Sequence, residues 1–100
     1  MDKLLYVMIL EKTKSYNKLT KVMVDKHVDY IRSLDDAGKV ALCGATKKSP
    51  GIAGMIILDV ESYEEAEKIC KAEPFCAEGY TTYKLSILQV GNRENNYLLK

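Results

Sequence analysis

The sequence has few of the residues that build metal sites or disulfide frameworks. Its 100 residues include one histidine, three cysteines and no tryptophan. A structural zinc site needs about four closely placed cysteine or histidine ligands, and Cys43, Cys70 and Cys76 are scattered without a C-x-x-C pair. We therefore expect no bound metal and three buried, reduced thiols, which are typical of a reducing compartment.

Charge excess and long apolar runs are also lacking. The 15 basic and 14 acidic side chains leave a formal net charge of +1, which gives no strong attraction for nucleic acid or for an anionic membrane. No apolar run approaches the roughly 20 residues of a membrane span, and no signal-peptide cleavage site follows the apolar start MDKLLYVMIL. We expect a cytoplasmic protein that binds neither nucleic acid nor membrane.

What the sequence does contain is a regular alternation of strand-like and helix-like segments. The predicted strands are residues 3–10, 39–45, 55–60 and 81–90. The predicted helices are residues 16–37 and 62–73, ended by Gly38 and Pro74, with a capping box at Ser62-x-x-Glu65. Two residues near the start of the first helix, Ser15 and Thr20, are candidates for its N-cap. The first and third strands are apolar on both alternating faces, which is typical of central strands.

The order β-α-β-β-α-β predicts one domain over residues 1–100, with about 91–100 as a C-terminal tail. Two βαβ-like halves of this size predict a ferredoxin-like α+β fold, with a four-stranded antiparallel sheet and two helices on one face. Helices on one side leave the other apolar face in water, which is unusual for a monomer. We therefore predict a homodimer that packs sheet against sheet. RNA-binding domains share this order, but the third strand, GMIILDV, lacks their aromatic residues.

The single histidine lies on the apolar face of the first predicted helix. In VMVDKHVDYIRSL, His27 shares that face with Met23 and Tyr30 at helical spacing. At least one ring nitrogen of a histidine always needs a hydrogen-bond partner. Two interpretations stay open: a core histidine satisfied by backbone or water, and an imidazole in a cleft, available for proton transfer. Tyr6 and Tyr30 line a pocket beside it in the second interpretation, and belong to the core in the first.

Three segments follow one another as in a known family. LLYV is similar to the family's first strand, and HVDYIRSLDDAGKVALCG has its helix histidine followed by Gly38 and Gly44. SYEEAEKICKAEPFCAEGYTTYKL has its second helix and its acidic-Pro-aromatic turn. The chain thus resembles the YciI-like family (YCII-related domain) of the dimeric α+β barrel group over nearly its whole length. Where the family usually has Asp-Pro-Phe or Asp-Pro-Tyr, this chain has Glu73-Pro74-Phe75.

The resemblance implies a small, cofactor-free enzyme with a histidine–carboxylate pair, here His27 and Glu73. Glutamate keeps the charge of the family's aspartate but is one methylene longer, so the hydrogen-bond geometry is not fixed by the motif. Taken alone, Glu73 would be a solvated acid at a helix end. The residues expected to contact substrate are Tyr6, Tyr30, Gly44 and Phe75.

The implied chemistry is elimination, isomerisation or hydrolysis of a small cyclic or aromatic oxygenated molecule, with His27 as general acid and base. The resemblance also supports a homodimer, which can associate into higher oligomers. Two other classes stay open: a non-catalytic dimer that binds a small ligand, and a purely structural dimer.

Overall fold

The computed structural model describes residues 2–99, so residues 1 and 100 of the predicted domain and tail lie outside it. The elements are β1 (Leu4–Lys12), α1 (Lys21–Asp36), β2 (Val40–Ala45), β3 (Ile52–Leu58), α2 (Tyr63–Ala72), α3 (Pro74–Ala77) and β4 (Thr81–Gln89). Short 3₁₀ turns cover Tyr16–Lys18 and Asn96–Leu98. Within the described residues, the predicted order of four strands and two main helices is confirmed. The short α3 was not predicted.

The four strands form one antiparallel sheet in the order β2-β3-β1-β4. β1 pairs with β3 on one side and with β4 on the other, while β2 pairs with β3. The two strands that are apolar on both faces are therefore the central ones, as predicted, and β4 lies at an edge. The crossover through α1 places β2 at the opposite edge, beyond β3.

One face of the sheet packs against the helices and forms the core. Tyr6, Met8 and Leu10 are the buried positions of β1, and Met8 lies beside Ile56 and Leu85 in the register. The helices contribute Met23 and Leu34 from α1, Ala66, Ile69 and Cys70 from α2, and Phe75 from α3. Burying a large apolar side chain stabilises a fold by about 1.5–3 kcal/mol. This layer therefore fixes how the helices sit on the sheet.

The other face of the sheet, here called the open face, is apolar and lies away from the helices. Side-chain alternation and register place seven apolar residues on it: Leu5, Val7, Ile9, Leu42, Met55, Ile57 and Leu88. Leu42 is 65% exposed and Leu88 is 43% exposed, and the other five are partly exposed. The apolar surface that the two-sided strands predicted is therefore present.

Helix α1 begins later than its apolar spacing indicated. The prediction ran from residue 16 to 37, but Tyr16–Lys18 forms a separate 3₁₀ turn and α1 begins at Lys21. Thr20 is the N-cap, and its Oγ1 accepts a hydrogen bond from the backbone N–H of Met23 at 3.3 Å. A threonine cap satisfies one of the free N–H groups at a helix start, so it competes with continuation of the helix toward Tyr16.

The other predicted helix boundaries are confirmed. Gly38 adopts a φ of +75°, the left-handed conformation that commonly follows a helix end. At the start of α2, the Oγ of Ser62 accepts from the backbone N–H of Glu65 at 3.1 Å. Pro74 directly follows Glu73, the C-cap of α2, and occupies the first position of α3. Proline at this position both ends one helix and begins the next.

Two strands and the tail also differ from prediction. Strand β1 runs from Leu4 to Lys12 rather than over residues 3–10. Strand β3 runs from Ile52 to Leu58 rather than over residues 55–60. The tail, which had no predicted element, contains the 3₁₀ turn Asn96–Leu98. Asn95 holds the tail near the chain start, because its Nδ2 donates to Asp2 Oδ1 at 3.0 Å.

Candidate active site

Glu73 is held at the junction between α2 and α3. The following Pro74 disfavours helical backbone at Glu73, and φ −61° with ψ 128° makes this residue both the C-cap of α2 and the N-cap of α3. The Glu73 side chain is fully buried. Its Oε2 accepts a hydrogen bond from the backbone N–H of Phe75 at 2.9 Å. The Glu-Pro-Phe sequence thus fixes the position of the carboxylate through local backbone geometry.

His27 lies on α1, directly against Glu73. The Nδ1 atom is 2.8 Å from Oε2 of Glu73, and the imidazole stacks on the Phe75 ring with centroids 3.9 Å apart and an interplanar angle of 2°. Facing an ionised carboxylate, which only accepts hydrogen bonds, Nδ1 is the donor, and a neutral ring in this tautomer keeps its lone pair on Nε2. The structure therefore brings together the two residues expected to form the pair, in spite of the longer glutamate side chain.

The surroundings of the pair are nearly dry. The His27 side chain is 19% exposed and the Glu73 side chain is 0% exposed. Within residues 2–99, Oε1 of Glu73 is buried without a hydrogen-bond partner, and His27 is the one side chain able to carry positive charge that contacts this carboxylate. A buried carboxylate is costly unless a counter-charge or hydrogen bonds compensate it. The carboxylate is therefore placed to stabilise positive charge on the imidazole.

A cavity of about 270 Å³ opens beside the imidazole, between α1 and the β2–β3 hairpin. It is lined by Leu10, Tyr16, His27, Ile31, Cys43, Gly44, Ala45, Ala53, Gly54, Met55, Ile56 and Phe75. Gly44 and Phe75, two of the residues expected to contact substrate, lie in the same lining as His27. The cavity is small and largely apolar, as ligand sites commonly are.

Tyr6 and Tyr30, the other two residues expected to contact substrate, lie outside this lining. Tyr6 is buried in the core, where its ring meets Tyr63 edge-on with centroids 6.4 Å apart. The Tyr30 hydroxyl donates to the backbone carbonyl of Ile69 at 2.9 Å and so ties α1 to α2. Burial, reinforced by the negative charge of Glu73, raises the pKa of Tyr30. Both tyrosines therefore serve packing: Tyr6 packs β1 against α2, and Tyr30 joins α1 to α2.

Among the lining residues that were not expected in the site, two carry a hydroxyl or thiol group, Tyr16 and Cys43. Tyr16 comes from the 3₁₀ turn before α1, and its ring lies edge-on to Phe75 with centroids 6.4 Å apart. Cys43 lies on β2 opposite Ile56 and is exposed, so the expectation of a buried thiol was wrong for this residue. The reason is that β2 lies at an edge of the sheet. An apolar strand sequence does not show whether the strand will lie at an edge, where its side chains are more exposed.

The three thiols are expected to differ in reactivity. Cys70 is buried, and burial raises its pKa to about 12; burial likewise raises the pKa of Cys76 to about 11. Because the thiolate is the nucleophile, iodoacetamide at mildly alkaline pH is expected to label Cys43 alone in the native protein. Mass spectrometry of peptides measures this, with urea-unfolded protein labelled at all three sites and Cys43→Ser as the control. Labelling of native Cys70 as fast as Cys43 would contradict the structure.

Gly54 permits a close approach of β2 to β3 at the edge of the cavity. A Cβ atom at Gly54 would lie 2.5 Å from the carbonyl oxygen of Gly44, whereas a Cβ at Gly44 meets no heavy atom within 4 Å. We expect Gly54→Ala to lower the free energy of unfolding by about 1–3 kcal/mol. The matched variant Gly44→Ala is expected to change it by no more than about 0.5 kcal/mol. Urea unfolding compares the stability of the two variants. Equal losses of unfolding free energy would show that the close contact between Gly54 and the Gly44 carbonyl does not exclude a side chain.

Among the helices of residues 2–99, none is long and apolar enough to cross a membrane. Over the same residues, no group of three or more histidine, cysteine, aspartate or glutamate side chains is placed to hold a metal ion.

Fold and site together define the class of protein: an α+β domain whose antiparallel sheet carries helices on one face and a histidine–carboxylate pair beside a small cavity. The chain belongs to the family described as the YCII-related domain, whose model matches residues 4–87. This match confirms the family that the sequence motifs indicated.

Solved structures share the fold. The 5-chloro-2-hydroxyhydroquinone dehydrochlorinase from Burkholderia phenoliruptrix AC1100, in complex with 2,5-dihydroxybenzoquinone, has a TM-score of 0.62 and 16% identity, covering 92% of this chain and 98% of that chain. Hydroxynitrile lyase from Passiflora edulis has a TM-score of 0.55 and 11% identity, covering 92% of this chain and 97% of that chain. At these identities the similarity establishes the fold alone. Comparison with curated protein sequences gives no match.

Proposed function

We propose that this chain is a small acid–base enzyme in which His27 takes and returns a proton and Glu73 orients and stabilises the imidazole. The observation that carries the proposal is the 2.8 Å contact between Nδ1 and Oε2, which leaves Nε2 as the basic nitrogen of a residue that lines the cavity. The proposed reaction is elimination, isomerisation or hydrolysis of a small cyclic or aromatic oxygenated molecule. It requires no cofactor.

The pair supplies both halves of a proton transfer. Nε2 accepts a proton from a C–H or O–H group of the substrate, or from water in a hydrolysis, and the resulting imidazolium lies against the Glu73 carboxylate. In an elimination, the electron pair of the broken C–H bond forms the new double bond, and the leaving group departs with its own electron pair. The imidazolium then returns its proton to the leaving group. In an isomerisation, the proton returns to a different atom of the same molecule.

A purely structural role accounts less well for Glu73. Its cap of α3 uses one carboxylate oxygen, and a shorter polar residue such as serine or aspartate makes the same kind of bond. Complete burial of a carboxylate with one unpartnered oxygen is unfavourable for stability. Buried titratable pairs beside a cavity are typical of active sites. These features support catalysis over a merely structural pair.

A turnover screen tests the proposal. The panel contains chlorinated hydroquinones and hydroxynitriles, the classes named by the two structural relatives, together with lactones and simple phenols. Proton NMR follows consumption of each compound by wild type and by His27→Gln. We expect at least one compound to be consumed by wild type and not by the variant. Compounds that shift the His27 signals without ever being consumed would favour the non-catalytic ligand-binding dimer and contradict the enzyme proposal.

We also propose that the chain is a homodimer in which the open faces of two copies pack together. The partly exposed apolar residues on this face support a second copy as the cover, because its apolar side chains match those of an identical face. The expected interface buries at least about 1,200 Å².

The mass in solution measures this assembly. Light scattering at micromolar concentration is expected to give twice the monomer mass of 11.3 kDa, or a larger even multiple. Leu88→Lys on the open face is expected to shift the mass toward the monomer. Val22→Lys, at an exposed position of α1, is the control and is expected to leave the mass unchanged. A wild-type mass near 11.3 kDa would exclude the dimer.

A further inference from the structure

The lining of the His27 cavity offers hydrogen bonds but almost no charge. The side chains that can donate or accept are the His27 imidazole, the Tyr16 phenol and the Cys43 thiol. The other lining residues are aliphatic residues, glycines and Phe75, and no lysine or arginine is among them. Backbone groups in the lining add hydrogen-bonding capacity without adding a net charge.

The charge next to this lining is negative. Glu73 lies behind the imidazole and is fully buried, so with neutral His27 the pair carries one negative charge, and with imidazolium it carries none. Lys12 approaches the Tyr16 ring, with Nζ 4.9 Å from the ring centroid, but it is not part of the lining. Within residues 2–99, no side chain of the lining other than His27 can therefore neutralise an anion in the cavity.

A ligand with a carboxylate group would lose its hydration shell on entering this cavity and would find no side chain with an unpaired positive charge. This transfer is unfavourable. The imidazolium form of His27 could pair with it, but that form has no lone pair left on Nε2 and cannot act as a base. An uncharged ligand avoids this conflict. Its negative charge develops only as its proton moves to Nε2, at the moment when the imidazolium becomes available to stabilise it.

We infer that the substrate of the His27 cavity is a small, uncharged molecule that presents an O–H or C–H proton to Nε2, and that the site discriminates against carboxylates. This inference rests on the proposed function, since it names the substrate class of the same site. The cavity of about 270 Å³ is below the usual range of about 300–1,000 Å³ for ligand pockets. The size therefore restricts the ligand to about one ring with its substituents.

Two probes of nearly equal shape test the inference. 4-Hydroxybenzamide and 4-hydroxybenzoate share a ring and a hydroxyl group. They differ only at the opposite ring position, where the first has a neutral amide and the second has a carboxylate. In titrations followed by NMR at neutral pH, we expect 4-hydroxybenzamide to shift the signals of His27 and Phe75. We expect 4-hydroxybenzoate to bind at least about tenfold more weakly, because its carboxylate stays unpaired.

The outcomes separate the inference from the proposed function. Equal or tighter binding of 4-hydroxybenzoate at the same His27 signals would overturn the charge preference, while the acid–base site would still stand. No shift with either probe would also overturn the inferred ligand class, and the turnover of His27→Gln would decide the proposed function independently.

Variants of the lining supply the converse test. Ala45 lies in the lining on the exposed edge strand β2, so Ala45→Lys adds a cation at a tolerant position. We expect this variant to remove the preference, because it binds 4-hydroxybenzoate at least about tenfold more tightly than wild type does. Lys12→Met is the matched control and is expected to leave the wild-type preference unchanged. A preference that depends on Lys12, or that Ala45→Lys leaves unaltered in a folded protein, would contradict the inference.

Discussion

Replacing His27 with glutamine is expected to lower turnover of any substrate that the wild-type chain consumes by about 100- to 10,000-fold, the usual contribution of a positioned acid–base group. Glutamine keeps an N–H donor that can reach Glu73, but it cannot take up a proton. Because the loss concerns the proton-transfer step, we expect kcat to fall while KM changes little. Steady-state kinetics measure both parameters.

A neighbouring substitution controls for the new side chain. Lys26→Gln introduces the same residue at the adjacent, exposed position of α1 and is expected to leave turnover unchanged. If His27→Gln kept more than about a tenth of wild-type kcat, His27 would not be the base.

The two members of the buried pair are expected to respond unequally to removal. His27→Leu removes the imidazole from the fully buried Glu73 carboxylate, which loses its hydrogen-bond donor in the neutral form and its counter-charge in the imidazolium form. Breaking a buried pair in this way typically costs about 3–5 kcal/mol of unfolding free energy. Glu73→Gln instead removes the buried carboxylate itself and leaves no acid for the imidazole to compensate. Its amide oxygen can still accept from the Phe75 N–H, so we expect a loss of only about 1.5 kcal/mol or less.

Urea unfolding followed by circular dichroism measures these differences at neutral pH. The double variant His27→Leu/Glu73→Gln removes both partners and is expected to recover most of the stability that His27→Leu loses, because no unpaired charge remains. Equal losses for the two single variants, without recovery in the double variant, would mean that the carboxylate is not held as a buried charge.

The architecture could be predicted from local patterns because those patterns reflect burial. Strands β1 and β3 are apolar on both faces, and this property alone identifies them as central in the observed sheet. The apolar periodicity did not determine the start of α1, for which Ser15 and Thr20 were both candidate caps. Tyr16 has the helical spacing of the α1 face, but the Thr20 cap and the extended backbone at Leu19 separate it from the helix. The apolar periodicity indicates which side chains are buried. It does not indicate at which residue a cap begins the helix.

Only the part of the candidate site that follows from the order of the family motifs could be predicted from the sequence. His27 and Glu73 are 46 residues apart, and no spacing rule links positions on different helices, so their pairing came from the family resemblance. Tyr30 was expected in the pocket because it follows His27 on the same helix face, but its hydroxyl is used by the Ile69 carbonyl. Cys43 was expected to be buried, and only the sheet order reveals its place in the cavity lining. Such contacts depend on tertiary structure.

The position of the proton on the neutral His27 ring tests the base role of this residue most directly. If Nδ1 donates to an ionised Glu73 across the 2.8 Å contact, the proton is on Nδ1 and the lone pair is on Nε2. Long-range ¹H–¹⁵N correlation spectra at mildly alkaline pH distinguish the two tautomers of this single histidine. The predicted result is a protonated Nδ1 and an unprotonated Nε2. A proton on Nε2 would contradict the account, because that nitrogen could then neither accept a proton from substrate nor leave Nδ1 to donate to Glu73.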